Sequence, residues 1–199
     1  SAASDVYKRQ HNNDSAGRQI PPNHKHHSIM KETIMAFANY TAPGLTLEEG
    51  KGISEVLQAR LHDLNDLHLL LKHAHWNVTG PGFIAVHEMI DPQVDTVREF
   101  VDAIAERMAT LGATPNGLAG ALVAQRTVED YPVGRARVAD HLHALNDVYT
   151  RVIKDHRKAI AFAGESDPVT EDLLIGQTAE LEKFQWFIRA FLENGEGNI

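Results

Sequence analysis

Residues 83–108, FIAVHEMIDPQVDTVREFVDAIAERM, constrain the fold more than any other stretch of the chain. Placed about 100° apart around a helix, Phe83, Val86, Ile90, Val94, Val97, Val101, Ile104 and Met108 fall in one apolar stripe. Such a stripe is the mark of a helix with one buried face. His87, Asp91, Asp102 and Glu106 run beside it, spread over about 100° of the same cylinder. Four metal-capable side chains therefore share one edge of a core-facing helix.

Their spacing carries a second constraint. His87 and Asp91 stand four residues apart, as do Asp102 and Glu106, so each pair converges on a common point. From Asp91 to Asp102 the helix rises about 16 Å, whereas metal–ligand bonds are about 2 Å long. No single ion spans both pairs within one chain. Either something else completes two half-sites, or a symmetry mate does. A two-fold axis crossing this helix would set His87 and Asp91 of one chain opposite Asp102 and Glu106 of another.

Histidine and carboxylate without thiolate suit Fe(II), Mn(II) or Zn(II). The chain has no cysteine, which removes thiolate metal sites, disulfides and cysteine nucleophiles. A closed structural zinc site wants four firm ligands, and only two residues are offered per half-site. No His follows a Glu by three positions, so the Glu-x-x-His pairs of an intra-bundle di-iron centre are missing. A site between subunits gains accordingly. The formal charge of −8 argues against a globally basic nucleic-acid binder. No apolar run approaches the roughly 20 residues of a membrane span, and the expected location is the cytoplasm.

Along the chain, residues 1–36 are polar, aperiodic and interrupted by Pro21-Pro22, and read as a disordered, added or upstream tail. Met30 and Met35 are candidate natural starts. His24, His26 and His27 could hold a metal loosely, and the scattered basic residues make a weak DNA arm. Thr46 with Glu49 predicts a capping box at the start of a first long helix. That helix carries Ile53, Leu57, Leu61, Leu64, Leu67 and Leu71 inward. His75 extends the same line and becomes a fifth candidate ligand, whereas His62, His68 and His73 read as surface or interface residues. Thr79-Gly-Pro-Gly82 makes the first two helices an antiparallel pair. Pro92 predicts a kink beside Asp91. After Gly112-Ala-Thr-Pro115 come a short helical piece, LAGALVAQ, and a loop, a connection long enough to cross the bundle. A third helix is expected from about Arg135 to Phe162, and a fourth, capped by Asp167 with Pro168 in its first turn, carries Leu174, Leu181, Phe184, Ile188 and Phe191 inward. No strand pattern is visible. The expected fold is all-α: a ferritin-like four-helix bundle over residues 37–194, with a short helix in the crossover between helices 2 and 3 and a short tail at 195–199.

From about Tyr40 to Leu192 the chain resembles the Dps family of mini-ferritins, closest in character to its actinobacterial members. The resemblance rests on KHAHWNVTGPGFIAVHEMID, on Asp102 and Glu106 in DAIAER, on YPVGRARVADHL and on LEKFQWF. It implies that His75, His87 and Asp91 of one subunit bind iron together with Asp102 and Glu106 of a two-fold mate. Trp76 matches a tryptophan beside that site thought to accept oxidising equivalents. The implied activity is a ferroxidase in a hollow dodecamer that oxidises Fe(II), preferably with hydrogen peroxide, stores ferric mineral and protects against oxidative stress. Zinc and manganese are candidate substitutes for iron. Asp140 and Asp147 are candidate linings of an acidic pore that draws in Fe(II). DNA binding in the family depends on mobile basic tails. Here the tails are mixed or acidic, which argues against strong DNA binding and against a nucleoid-compacting role with an incidental metal site.

Overall fold

The computed structural model describes residues 35–126, 128–194 and 199. The tail histidines and basic residues at positions 8–31 lie outside the described residues, as does most of the tail at 195–199. In chain order the elements are α1 (Leu47–Asn77), β1 (Val78–Thr79), α2 (Phe83–Thr110), α3 (Ala119–Gln125), β2 (Ala136–Arg137), α4 (Val138–Ala163) and α5 (Pro168–Leu192). Helices α1 and α2 pack as one hairpin, α4 and α5 as another, and α1 against α4 joins them. The long passage from α2 to α4, with α3 inside it, gives the ferritin-like connectivity expected from sequence.

Each helix begins where local chemistry dictates. Thr46 Oγ1 accepts from the Glu49 N–H at 3.2 Å while the Glu49 carboxylate accepts from the Thr46 N–H at 2.7 Å. This is the reciprocal capping box that satisfies donors the first turn leaves open. Asp167 caps α5 by accepting from the Val169 N–H at 3.2 Å, with Pro168 placed where no donor is needed. Gly112 ends α2 at φ +89°, and a Cβ there would lie 2.2 Å from the Tyr40 carbonyl oxygen. That approach lets residues 36–38 pair with 112–114, through Ala38 N–H to Gly112 O at 2.7 Å and Thr114 N–H to Ala36 O at 2.9 Å.

Leu57, Leu64, Leu67 and Leu71 of α1 meet Val86, Ile90, Val97, Ile104 and Met108 of α2 in one core with Leu142, Leu145, Tyr149, Leu181 and Ile188. The apolar stripe of α2 is thus the core face, except that Phe83 at its start is 39% exposed. Phe191, expected inward at the end of α5, is also exposed and lies against the Gly82 turn. Pro92 sits within α2, which remains a single helix from Phe83 to Thr110.

Two sequence expectations change. Strand pairing does occur: Val78 and Thr79 pair in parallel with Ala136 and Arg137, and the Thr79 hydroxyl donates to Ala136 O at 2.9 Å. This ladder ties the first hairpin turn to the end of the crossover, which is why α4 starts at Val138 rather than near Arg135. The histidines read as surface or interface residues also contribute to packing within the chain. His62 is buried, with Nε2 3.1 Å from Asn116 O, and His73 Nε2 is 2.8 Å from Val133 O, so each holds the crossover against α1. His68 is half-buried.

His156 of α4 is fully buried, with Nδ1 donating to Val152 O at 3.2 Å. Burial, aided by the nearby Arg60 charge, pushes its pKa down to about 4 from an ordinary 6.5. A depressed histidine pKa means the unfolded chain takes up the proton first as pH falls. Its contribution is therefore complete above about pH 6.5 and is lost between there and about pH 4. Urea unfolding of the wild type should lose about 2 kcal/mol more between pH 7 and pH 5 than a His156→Gln variant does. Parallel pH profiles for the two proteins would remove His156 from the acid response.

Candidate metal centre

The hairpin turn brings His75, near the end of α1, against His87, in the second turn of α2. Their rings stack with centroids 3.6 Å apart at an interplanar angle of 21°. His75 Nδ1 lies 3.0 Å from the His87 carbonyl oxygen, and His87 Nδ1 lies 3.0 Å from the His75 carbonyl oxygen. A carbonyl only accepts, so each Nδ1 carries the proton and donates. Both Nε2 atoms are left as lone-pair donors, the form in which imidazole binds a metal. The hairpin fixes tautomer and orientation of both rings before any metal arrives.

Asp91 lies one turn beyond His87. Its Oδ1 is 3.2 Å from His75 Nδ1 and 2.7 Å from Lys72 Nζ. The Lys72 ammonium hydrogen-bonded to this carboxyl holds it below the usual carboxylate range, with weak opposition from burial and further help from His75 and His87. Asp91 is ionised and pre-oriented at neutral pH, with its side chain 48% exposed. These residues alone do not close around an ion: among the described residues, no three His, Cys, Asp or Glu side chains are grouped so as to hold one. His75, His87 and Asp91 stand together as a candidate half-site, to which any bound ion would have to bring further ligands.

Asp102 and Glu106 stand farther along the same helix, both exposed, with no side-chain hydrogen bond or ion pair among the described residues. Asp102 borders a shallow cavity of about 450 Å³ with Leu61, His68, Arg98 and Val101. The predicted ligands are thus found as two groups, one assembled by the hairpin and one on the outer face of α2. Trp76 is 71% exposed, with Lys72 Nζ 5.9 Å from its ring centroid. Asp140 and Asp147 are exposed, two turns apart on α4, and Asp140 lies 3.6 Å from Arg137. Lys72 was not singled out from sequence. Its place four residues before Trp76 is visible there, but its contact with Asp91 crosses 19 positions between two helices.

Comparison with known proteins agrees with this architecture. A family model described as a ferritin-like domain matches residues 54–197. The DNA protection during starvation protein of Mycolicibacterium smegmatis is 52% identical over 161 residues, 81% of this chain and 88% of that one. The chain belongs to the Dps family. A solved Dps structure, DpsA14 from Streptomyces coelicolor, superposes with a TM-score of 0.81 at 56% identity, covering 83% of this chain and 98% of that chain. A further relative, the fine tangled pili major subunit of Haemophilus ducreyi, is 59% identical over 81% of this chain and 86% of its own length. The ferritin-like Dps family supports a role in iron handling in general terms, and the M. smegmatis relative is named for DNA protection during starvation. Among the described residues, no helix is long and apolar enough to cross a membrane.

Proposed function

We propose that this Dps-family chain is a ferroxidase subunit, oxidising Fe(II) with hydrogen peroxide at sites shared between two-fold related subunits of a hollow dodecamer. One arrangement supports the reading: the hairpin stacks His75 on His87 with Asp91 one turn on, and the exposed Asp102/Glu106 pair follows about 16 Å farther along the helix that carries His87 and Asp91. Antiparallel pairing of two such helices puts unlike halves together twice, making two equivalent sites per interface.

At each site His75 and His87 supply nitrogen and Asp91 of the same chain supplies charge, joined by the charges of Asp102 and Glu106 of the mate. Few ligands and open positions favour Fe(II) that exchanges readily and gives up electrons. Two Fe(II) ions supply two electrons to one peroxide, whose O–O bond breaks. With two waters, the products are two FeO(OH) units and four protons, so no hydroxyl radical leaves the site. Trp76, beside the half-site, takes up any stray one-electron equivalent. Ferric product moves to carboxylates on the inner wall and grows as mineral. Asp140 and Asp147 attract incoming Fe(II) by their charge. Zinc or manganese would occupy the same ligands without turnover.

A second reading, DNA compaction, is favoured by the function named for the M. smegmatis relative. It is opposed by the net charge of −8. The test is anaerobic Fe(II) loading, addition of peroxide, and gel filtration with detection of ferric absorbance. Iron co-eluting with a particle of about twelve subunits supports the proposal. A dodecamer that leaves its iron to precipitate rejects ferroxidase activity, and a monomer rejects the shared site.

A further inference from the structure

The half-site contains a cation of its own. Lys72 Nζ lies 2.7 Å from Asp91 Oδ1, the same oxygen that lies 3.2 Å from His75 Nδ1. The ammonium is also 5.9 Å from the centroid of the Trp76 ring, which stands one helical turn on and is otherwise exposed. From this one position Lys72 meets both the carboxylate and the indole face, and its flexible four-carbon stem allows it to keep the second contact when the first is lost. A divalent ion on Asp91 competes for the first and repels its occupant toward the second.

On the basis of the iron site proposed above, we infer that Lys72 is a positioning residue that sets the affinity of that site. Its ammonium holds Asp91 in place while the site is empty, then exchanges Asp91 for the face of Trp76 when a divalent cation binds. The half-site is thus charge-compensated in both states. Asp91 never faces the stacked imidazoles as an unpaired anion, and the loaded metal never shares its carboxylate with the lysine. The exchange lowers affinity, because the bound ion must displace a hydrogen-bonded ammonium and then stay close to a like charge. Repulsion between a double and a single charge a few ångströms apart, even in water-like surroundings, corresponds to roughly a tenfold change in binding. A site held to this moderate affinity releases oxidised iron onward and does not trap the first ion it meets.

The test uses Zn(II), which is redox-inert, on the assembled full-length protein carrying Trp186→Phe, so that Trp76 is the remaining tryptophan. Calorimetry and Trp76 fluorescence are followed in this background and in the added variants Lys72→Met, Lys72→Arg and His87→Ala. The tail histidines are common to all four and cancel in the comparison. Lys72→Met should bind Zn(II) about tenfold more tightly and lose the metal-dependent change in Trp76 emission. Lys72→Arg, which keeps the charge, should bind as the parent does. Wild-type or weaker affinity in Lys72→Met overturns the inference, as does equal tightening in both lysine variants. If His87→Ala binds as the parent does, the metal site itself is misplaced and the failure belongs to the proposed function. If His87→Ala loses the site while Lys72→Met leaves affinity unmoved, only the role of the lysine falls.

Discussion

Two inactive variants should restore activity to one another when they assemble together. In a His75→Ala/His87→Ala chain the hairpin half-site is gone, and in an Asp102→Ala/Glu106→Ala chain the free carboxylate pair is gone. Each alone should oxidise Fe(II) at least about 100-fold more slowly than wild type, since even changes behind the ligands of a metal site cost 10- to 100-fold. At a mixed interface one of the two sites receives both defects and the other receives neither. With random mixing half of the interfaces are mixed, so about one quarter of the wild-type sites return. The measurement is the initial rate of ferric absorbance after refolding the variants separately and together. A mixture no faster than its components would mean that the two groups do not share an ion. Ligation wholly within one chain predicts that failure, because its damage cannot be complemented. Both variants should still form the shell. Asp102, Glu106 and His87 are partly or fully exposed; His75 is buried, but the packing of the bundle rests on Val86, Ile90, Val97 and Ile104.

The largest effect on stability is expected at Arg107, which follows Glu106 in the chain and reaches across to the start of the last helix. Its Nη2 donates to Asp167 Oδ2 at 2.6 Å and its Nε to Thr170 Oγ1 at 2.8 Å, with Thr170 also hydrogen-bonded to Asp167. The Asp167 side chain is 4% exposed and simultaneously caps α5, so this cluster joins the end of α2 to the start of the last helix. Burial pushes the Asp167 carboxyl up, but the hydrogen bonds from Thr170 and Arg107 outweigh it and hold the pKa below the ordinary 3.8. The folded form thus binds its proton later than the unfolded form does. The resulting stability is complete above about pH 4 and fades as pH falls below it. Arg107→Ala leaves a buried carboxylate without its cation, which should cost about 3–5 kcal/mol in urea unfolding at matched protein concentration. Adding Asp167→Asn, which keeps a capping oxygen and removes the charge, should recover much of that loss. A single variant within about 1 kcal/mol of wild type would show that solvent already screens the pair.

The caps and stripes were legible because they are local. Thr46 with Glu49 and Asp167 with Pro168 announce helix starts within four residues, and the alternation along α2 places its core face without reference to any neighbour. The candidate ligand set could be proposed for the same reason: four of its five members lie on one helix, and His75 lies one short turn away. What escaped depends on contacts between distant segments. The Val78–Thr79 ladder with Ala136–Arg137 is too short to show alternation, and it exists only because the crossover returns to the first turn. His62 is buried by Asn116, and His73 bonds Val133, both more than 50 residues away. Lys72 reads as an ordinary surface lysine until α2 sets Asp91 beside it. Phe83 and Phe191 continue their stripes on paper, but both stand where the hairpin ends and remain exposed among the described residues.

The crossed bonds between the two histidines also bear on how such a centre is inherited or transplanted. Each imidazole is oriented by the main chain that carries the other, so neither is an independent part. A graft of the ligand side chains alone onto another bundle would leave both rings free to rotate and to protonate at either nitrogen. The transferable piece is the whole bend from His75 through the Gly80–Gly82 turn to His87, a cassette whose backbone specifies the chemistry of its own side chains.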